Sequence, residues 1–491
     1  MRAGSAGSSA ALHAALHDVS DAPVSLESKG SAATAVQSLP RIDSRATPAA
    51  LNKPIATPVK TFAKRRQQLM RMAGDDAIVI VPAAPERIRS RDTHYPYRQD
   101  SDVLYLGGFL EPDAVLVLVP GRAHGQSLLF CRDRDPEREG WDGPRLGPDG
   151  AVAQLGFDDA FPITDLDDIL PGLLEGRSRV YYHFGRDTEF DLKLIGWLNR
   201  VRAQVRNGAQ PPHEFLELGH LLDELRLFKD AGELKLMQRA ADISVAAHTA
   251  AMRAARVGVR ECELQAELER VFRMHGAAPA YASIVGAGAN ACVLHYVANT
   301  AAARDGDLVL IDAGAEVQGY AADITRTFPA NGHFSRAQRA LHDLVGRAQA
   351  AALGQARPGM PFEAMHAAAI ETLADGLLSL GLLTGTLDSV LADGSHKRYT
   401  RHKTGHWLGL DVHDVGDYRI DNQSRLLEPG MVFTIEPGLY IPHDDTSVAA
   451  KWRGIGIRTE DDVLVTAGGH RVLTDALVRD ADGIEALMAA R

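Results

Sequence analysis

At 491 residues, 45% of them hydrophobic and 24% charged, the chain has globular composition and length enough for two domains with separate cores. Its net charge of -11 argues against nucleic acid as the partner, because proteins that bind phosphate backbones carry a basic excess or stripe. The three cysteines, Cys131, Cys262 and Cys292, lie far apart with no C-x-x-C pair, which excludes a disulfide framework and a thiolate zinc site and suits the cytoplasm.

Residues 1–58 are rich in Ala, Ser and Pro without sustained periodicity. A segment of that composition cannot bury enough surface to order itself, so it reads as a disordered extension. The acids Asp18, Asp21 and Glu27 fit an organellar transit peptide poorly, and the basic-then-apolar layout of a secretory signal is missing. No run of about 18 apolar residues marks a membrane span, so no membrane partner is expected.

A helix is expected over 62–72, followed by strands over 77–82, 114–119 and 127–131, which together predict an N-terminal α/β domain over 59–228. Residues 229–233 are polar and helix-starting, and the helix after them sets Leu236, Ala240, Ile243 and Ala247 on one face, so a second domain is expected over 229–491. Leu264, Leu268 and Phe272 mark its second helix. Strands are expected over 308–312, 431–436 and 455–460, with helices over 337–353 and 362–380. Helices and strands thus come in two successive sets, before and after about residue 335, an order that hints at duplication without a strict sequence repeat. The fold class is α/β with α+β character.

Chemistry-bearing side chains sit at the ends of these strands. Asp312 closes the apolar run 308–311; Gly314 and Gly319 then permit a tight reversal that returns Asp323 opposite it. Alone, such a pair is more simply a turn cap and a surface ion pair. Glu436, before Pro437 and Gly438, and Glu460, after 456–459, also end strands. Four carboxylates converging on one core repel one another strongly in low dielectric, and two divalent cations would cancel the charge. The glycine-broken stretch 401–414 adds His402, His406 and His413; one of the three is expected to be a ligand. An oxygen-rich set favours Mn²⁺ or another hard or intermediate ion, with Zn²⁺ and Co²⁺ left open.

The order Asp, Asp, His, Glu, Glu resembles that of the pita-bread-fold metallopeptidases, the family of methionine aminopeptidase, prolidase and aminopeptidase P. The motif YPYRQDSD at 95–102, then Gly108-Phe109 and Glu111-Pro112, brings the resemblance closest to the aminopeptidase P branch, from about residue 60 to the C-terminus. It implies a pita-bread catalytic domain and two metal ions per subunit, with Asp312 on one ion, Asp323 and Glu460 bridging, and His406 and Glu436 on the other. It further implies His295 and His413 as catalytic residues beside Glu436, His402 and Arg458 as supporting groups, and Trp141 as a tryptophan that reaches a neighbouring subunit's site in a homo-oligomer, dimer or tetramer. Lys403 stands where the family commonly has glycine, which affects the loop and its charge but not the ligands.

The implied activity is release of the N-terminal residue from Xaa-Pro peptides by a hydroxide bridging two divalent metals, with Glu436 passing a proton to the proline nitrogen. That nitrogen carries no hydrogen, so recognition must use ring shape. Two alternatives remain: prolidase, which takes only Xaa-Pro dipeptides, and a non-catalytic peptide-binding relative. The N-terminal motif favours aminopeptidase P over the first, and the presence of all five ligands argues against the second.

Overall fold

The computed structural model describes residues 55–490, so the extension expected over 1–58 falls, for 1–54, outside the described residues. Two compact units emerge, Ala56–Arg226 and a second running from Leu227 to the C-terminus.

The N-terminal unit contains α1 (Val59–Ala73), β1 (Ala77–Pro82), β2 (Val115–Leu118), β3 (Ser127–Cys131), β4 (Asp159–Pro162), α2 (Leu166–Leu174), β5 (Arg179–Tyr182), α3 (Thr188–Arg202) and β6 (Glu214–Glu217). The six strands form one mixed sheet in the order β4-β3-β2-β1-β5-β6. β1 pairs antiparallel with β2, Val79 opposite Leu118, and parallel with β5, Ile78 opposite Val180. β1, β2 and β3 are buried along nearly their whole length, which is why they read as unbroken apolar runs. Leu170 and Leu174 of α2 and Leu194 and Trp197 of α3 join Ile78, Ile80, Val117 and Phe130 in one core. The edge strands β4 and β6 are half-buried or exposed, and so carry no apolar run to read from sequence.

In the second unit Asp230 caps α4 (Ala231–Ala254): its carboxylate accepts from the Gly232 and Glu233 amides, and the Glu233 side chain accepts from the Asp230 amide. Leu236, Ala240, Ile243 and Ala247 form the buried face. α4 packs against α5 (Glu261–Met274), and both cover the antiparallel sheet of β7 (Ile284–Ala287), β8 (Leu308–Asp312) and β9 (Thr325–Pro329).

The second half of this unit follows the same plan. α6 (Arg336–Leu353) packs on α7 (Phe362–Ser379), and their apolar faces meet strands β10 (Val432–Ile435), β11 (Gly438–Ile441), β12 (Ile455–Arg458) and β13 (Asp461–Thr466) in a second core. β13 pairs antiparallel with β10, Ile435 opposite Asp461, and with β14 (Gly469–Val472), while β11 pairs with β12. The order read from the sequence recurs in the packing: a helix pair over a three-stranded antiparallel sheet in the first half, and a helix pair over the strands β10 to β13 in the second. Arg326 of β9 and Asp461 of β13, both fully buried, lock the halves together at 2.7 Å. Removing one partner of such a pair typically costs about 3–5 kcal/mol. Among the described residues no helix is long and apolar enough to cross a membrane.

Candidate metal centre

Each half contributes two carboxylates from the end of a strand pair. Asp312 is the last residue of β8 and stands opposite Thr325, the first of β9, with Asp323 two residues before it. The connecting chain folds tightly, because Gln318 (φ 52) and Gly319 (φ 87) form a turn of the hairpin-favouring hand. Gly314 must be glycine: a Cβ there would lie 1.6 Å from the Ala322 carbonyl oxygen. In the second half Glu436 follows β10, and Glu460 precedes β13 with its amide donating to the Thr325 carbonyl at 3.1 Å.

The histidine stretch lies along β10. The Thr434 amide donates to the His406 carbonyl at 2.9 Å and the Glu436 amide to the Thr404 carbonyl at 2.8 Å, so His406 and Glu436 come to neighbouring positions. Gly405 permits this approach, since a Cβ there would meet the Thr434 carbonyl oxygen at 2.1 Å. His406 Nδ1 lies 3.0 Å from the Trp407 carbonyl, and only an N–H suits that acceptor. The other nitrogen, Nε2, then turns its lone pair toward Asp323 Oδ2 at 3.4 Å and Glu436 Oε1 at 3.5 Å. Three acceptors facing one another call for a cation between them, a proton or a metal.

Asp323, His406 and Glu460 offer ligand atoms all within 4.8 Å of one another, and Asp312 and Glu436 line the same cavity, of about 580 Å³. Burial pushes the carboxyl groups of Asp312, Glu436 and Glu460 up, Glu436 to about 7, and the neighbouring carboxylates push Glu460 further. Burial also acts on Asp323, but the His406 contact and charge outweigh it and hold Asp323 below its usual value. His406 is correspondingly raised to about 9, with Asp323 overcoming the effect of burial. Without a metal, then, the cluster must hold protons that divalent ions would displace. The hard oxygen donors with one imidazole fit such ions.

Several further groups hold the cluster. The Tyr281 hydroxyl sits 2.6 Å from Asp312 Oδ1 and 2.5 Å from Asp323 Oδ1. Thr325 Oγ1 donates to Glu460 Oε2 at 2.6 Å. Arg458 Nη1 donates to the Tyr440 hydroxyl at 2.8 Å; that hydroxyl is 2.8 Å from His402 Nε2, and His402 Nδ1–H meets the Lys403 carbonyl at 2.7 Å. The Asp323 amide donates to Asp462 at 3.2 Å. Sequence reasoning did not find Tyr281, Thr325, Tyr440 or Asp462, because a phenol, a hydroxyl or a second acid beside a ligand has no pattern of its own in a chain.

His295, His402, Lys403, His413 and Arg458 all line the cavity with the five expected ligands. The His413 ring stands edge-on to His406, centroids 4.3 Å apart. Burial, and secondarily the charge of His406, keep His413 neutral to lower pH than usual. Trp141 is not among these residues; it belongs to the N-terminal unit, on a short helix (Pro136–Asp142), and is 85% exposed.

The sequence profile of metallopeptidase family M24 matches residues 235–467, and that of the aminopeptidase P N-terminal domain matches residues 62–181. The Escherichia coli Xaa-Pro aminopeptidase is 44% identical over 431 residues, 87% of this chain and 97% of that one. The chain belongs to the aminopeptidase P family of M24 metallopeptidases. Solved members of this family agree in fold: a Pseudomonas aeruginosa aminopeptidase superposes with a TM-score of 0.88 at 55% identity, covering 89% of this chain and 99% of its own. The Escherichia coli aminopeptidase P with the inhibitor Pro-Leu gives 0.86 at 43% identity over 88% and 99%. The aminopeptidase P family thus accounts for the α/β N-terminal unit and the two-part catalytic unit together.

Proposed function

We propose that this chain is a metal-dependent Xaa-Pro aminopeptidase, releasing the first residue of peptides whose second residue is proline. The domain at 229–491 carries the reaction. The observation that supports this most is the His406 Nε2 lone pair aimed at Asp323 and Glu436 in an open, carboxylate-rich cavity. The identity to Xaa-Pro aminopeptidases over nearly their full length gives the substrate class.

Asp312, Asp323, His406, Glu436 and Glu460 would hold two divalent ions, for which the donor set favours Mn²⁺. Such ions, when bound, acidify water and polarise a carbonyl. The surplus of carboxylates favours a substrate α-ammonium, which suits an exopeptidase. His295 and His413 are cavity-lining groups able to donate to the carbonyl oxygen as it gains charge. Glu436, which lines the cavity beside His406, is the carboxylate placed to pass a proton to the departing proline nitrogen. Inhibition of the Escherichia coli relative by Pro-Leu supports a subsite that grips a free N-terminal proline, the product that remains after cleavage. Exposed Trp141 fits a homo-oligomer, dimer or tetramer, in which a partner covers it.

The test is hydrolysis of Xaa-Pro-Yaa-Zaa, of the dipeptide Xaa-Pro and of Xaa-Ala-Yaa-Zaa by Mn²⁺-loaded protein. Release of Xaa from the first substrate and its abolition by chelator are expected. Cleavage of the dipeptide alone marks a prolidase, and no cleavage of any marks a binding protein.

A further inference from the structure

His295 is exposed at the tip of the loop between β7 and β8, flanked by exposed Val293 and Val297. An exposed tip is a poor place for a group that must meet a substrate oxygen in one geometry. Its neighbour Tyr296 turns inward, and the Tyr296 hydroxyl donates to Glu261 Oε2 at 2.9 Å. Glu261 is the first residue of α5 and is 1% exposed.

The Glu261 carboxylate collects the whole loop. Oε1 accepts from the Ala287 amide at 2.8 Å and from Asn290 Nδ2 at 2.9 Å, where the loop leaves β7. Oε2 accepts from Tyr296 and from the Ala301 amide at 2.7 Å, where the loop returns. Two carboxylate oxygens offer about four acceptor positions, and all four are used on one 15-residue excursion from Ala287 to Ala301. None of the four donors belongs to a metal ligand. The base of the loop is wedged as well: a Cβ on Gly456, two residues from Arg458 in β12, would lie 2.1 Å from the Ala291 carbonyl oxygen. Leu294 and Tyr296 pack on Ile284, Leu310 and Tyr440, and Tyr296 to Glu261 is the hydrogen bond that fixes the residue next to His295.

We infer that Glu261 is a positioning residue for the peptidase reaction, acting through Tyr296 to hold His295 over the cavity. It touches neither substrate nor metal. The inference rests on the proposed role of His295 toward the substrate, and it predicts a specific coupling: once His295 is gone, Glu261 has nothing left to position.

The experiment is a double-mutant cycle on full-length, metal-loaded protein, reading kcat/KM on a Xaa-Pro-Yaa peptide together with metal content. Glu261→Gln puts an NH₂ against one pair of donors and should lower kcat/KM roughly 10-fold, the scale of one hydrogen bond to a charged group. Tyr296→Phe removes one of the four bonds to Glu261, and with it the long 3.5 Å contact from the Thr300 amide, and should do the same if Glu261→Gln proves too unstable to purify. Metal content should stay at the wild-type level in both. In the His295→Ala background either substitution should change kcat/KM by less than about 2-fold, the non-additivity of residues that act as one unit. Full additivity in that background, or wild-type kcat/KM in Tyr296→Phe while His295→Ala is slow, overturns the inference. His295→Ala at the wild-type rate contradicts instead the role of His295 on which it rests.

Discussion

Arg458 Nη2 lies 2.5 Å from Asp312 Oδ2, and the same guanidinium donates through Nε to Thr325 Oγ1 at 3.0 Å and through Nη1 to the Tyr440 hydroxyl at 2.8 Å. One buried cation therefore joins β8, β9, β11 and β12 at the point where the carboxylates meet. It also offsets part of the charge on Asp312.

Arg458→Lys keeps the charge but not the fork, since the three donors of an ammonium radiate from one nitrogen and cannot span partners set around a planar guanidinium. Losing two charge-assisted bonds, each about 1.5–3 kcal/mol, should lower kcat/KM by roughly 10²-fold and the melting temperature by several degrees. Steady-state kinetics and calorimetry check this; near wild-type values for both would show that the fork is dispensable.

The same cluster predicts how metal-free protein responds to pH. Glu460 is raised well above its usual value by burial and neighbouring carboxylates, and His406 is raised to about 9 by Asp323 against the effect of burial. Both groups hold protons in the folded state that the unfolded chain has released. Their stabilisation is fully present below the unfolded values and is lost as pH rises through the folded ones. The buried histidines His402 and His366, lowered to about 4 mainly by burial, are neutral in both states above pH 7 and add no slope there. Chelator-treated protein should therefore lose thermal stability between pH 7 and 9, and the gap to metal-loaded protein should widen. A flat or rising melting temperature of the stripped protein over that range would contradict the charge balance.

Gly314→Ala tests the backbone that spaces Asp312 and Asp323. Its Cβ would lie 1.6 Å from the Ala322 carbonyl oxygen, so the backbone between Ala321 and Asp323 must move. Overpacking of this kind costs about 1–3 kcal/mol or more, and here the displaced residue precedes Asp323. Metal content should fall with activity, measured by elemental analysis beside turnover; retention of both would mean that the hairpin can yield without moving its carboxylates.

Much of this was legible in the chain. The helical face Leu236, Ala240, Ile243, Ala247 and the apolar runs of β1, β3 and β8 announce themselves because burial on a regular element imposes a period or an unbroken run. The acids Asp312, Glu436 and Glu460 stand out because each follows an apolar run where a charge has no structural use. Illegible were the groups whose role exists only in three dimensions. Tyr281 meets Asp312 and Asp323 across 31 and 42 residues of chain, and Glu261 reaches Tyr296 across 35. The edge strands β4 and β6 were missed because half-exposed strands lack the apolar signal.

The central claim, that His406 is a metal ligand while its ring neighbour His413 is not, is tested most directly by metal content measured beside kcat in three variants. His406 faces Asp323 and Glu436 through Nε2, so His406→Ala should lose metal and turnover together. His413, 4.3 Å away ring to ring, and His402, hydrogen-bonded to Tyr440, should each keep full metal content when changed to alanine. The His413 variant should slow by roughly 10² to 10³-fold, the scale for deleting one donor to a developing oxyanion, and the His402 variant by less. Full metal and full rate in His406→Ala, or metal loss in His413→Ala equal to that in His406→Ala, would contradict the account.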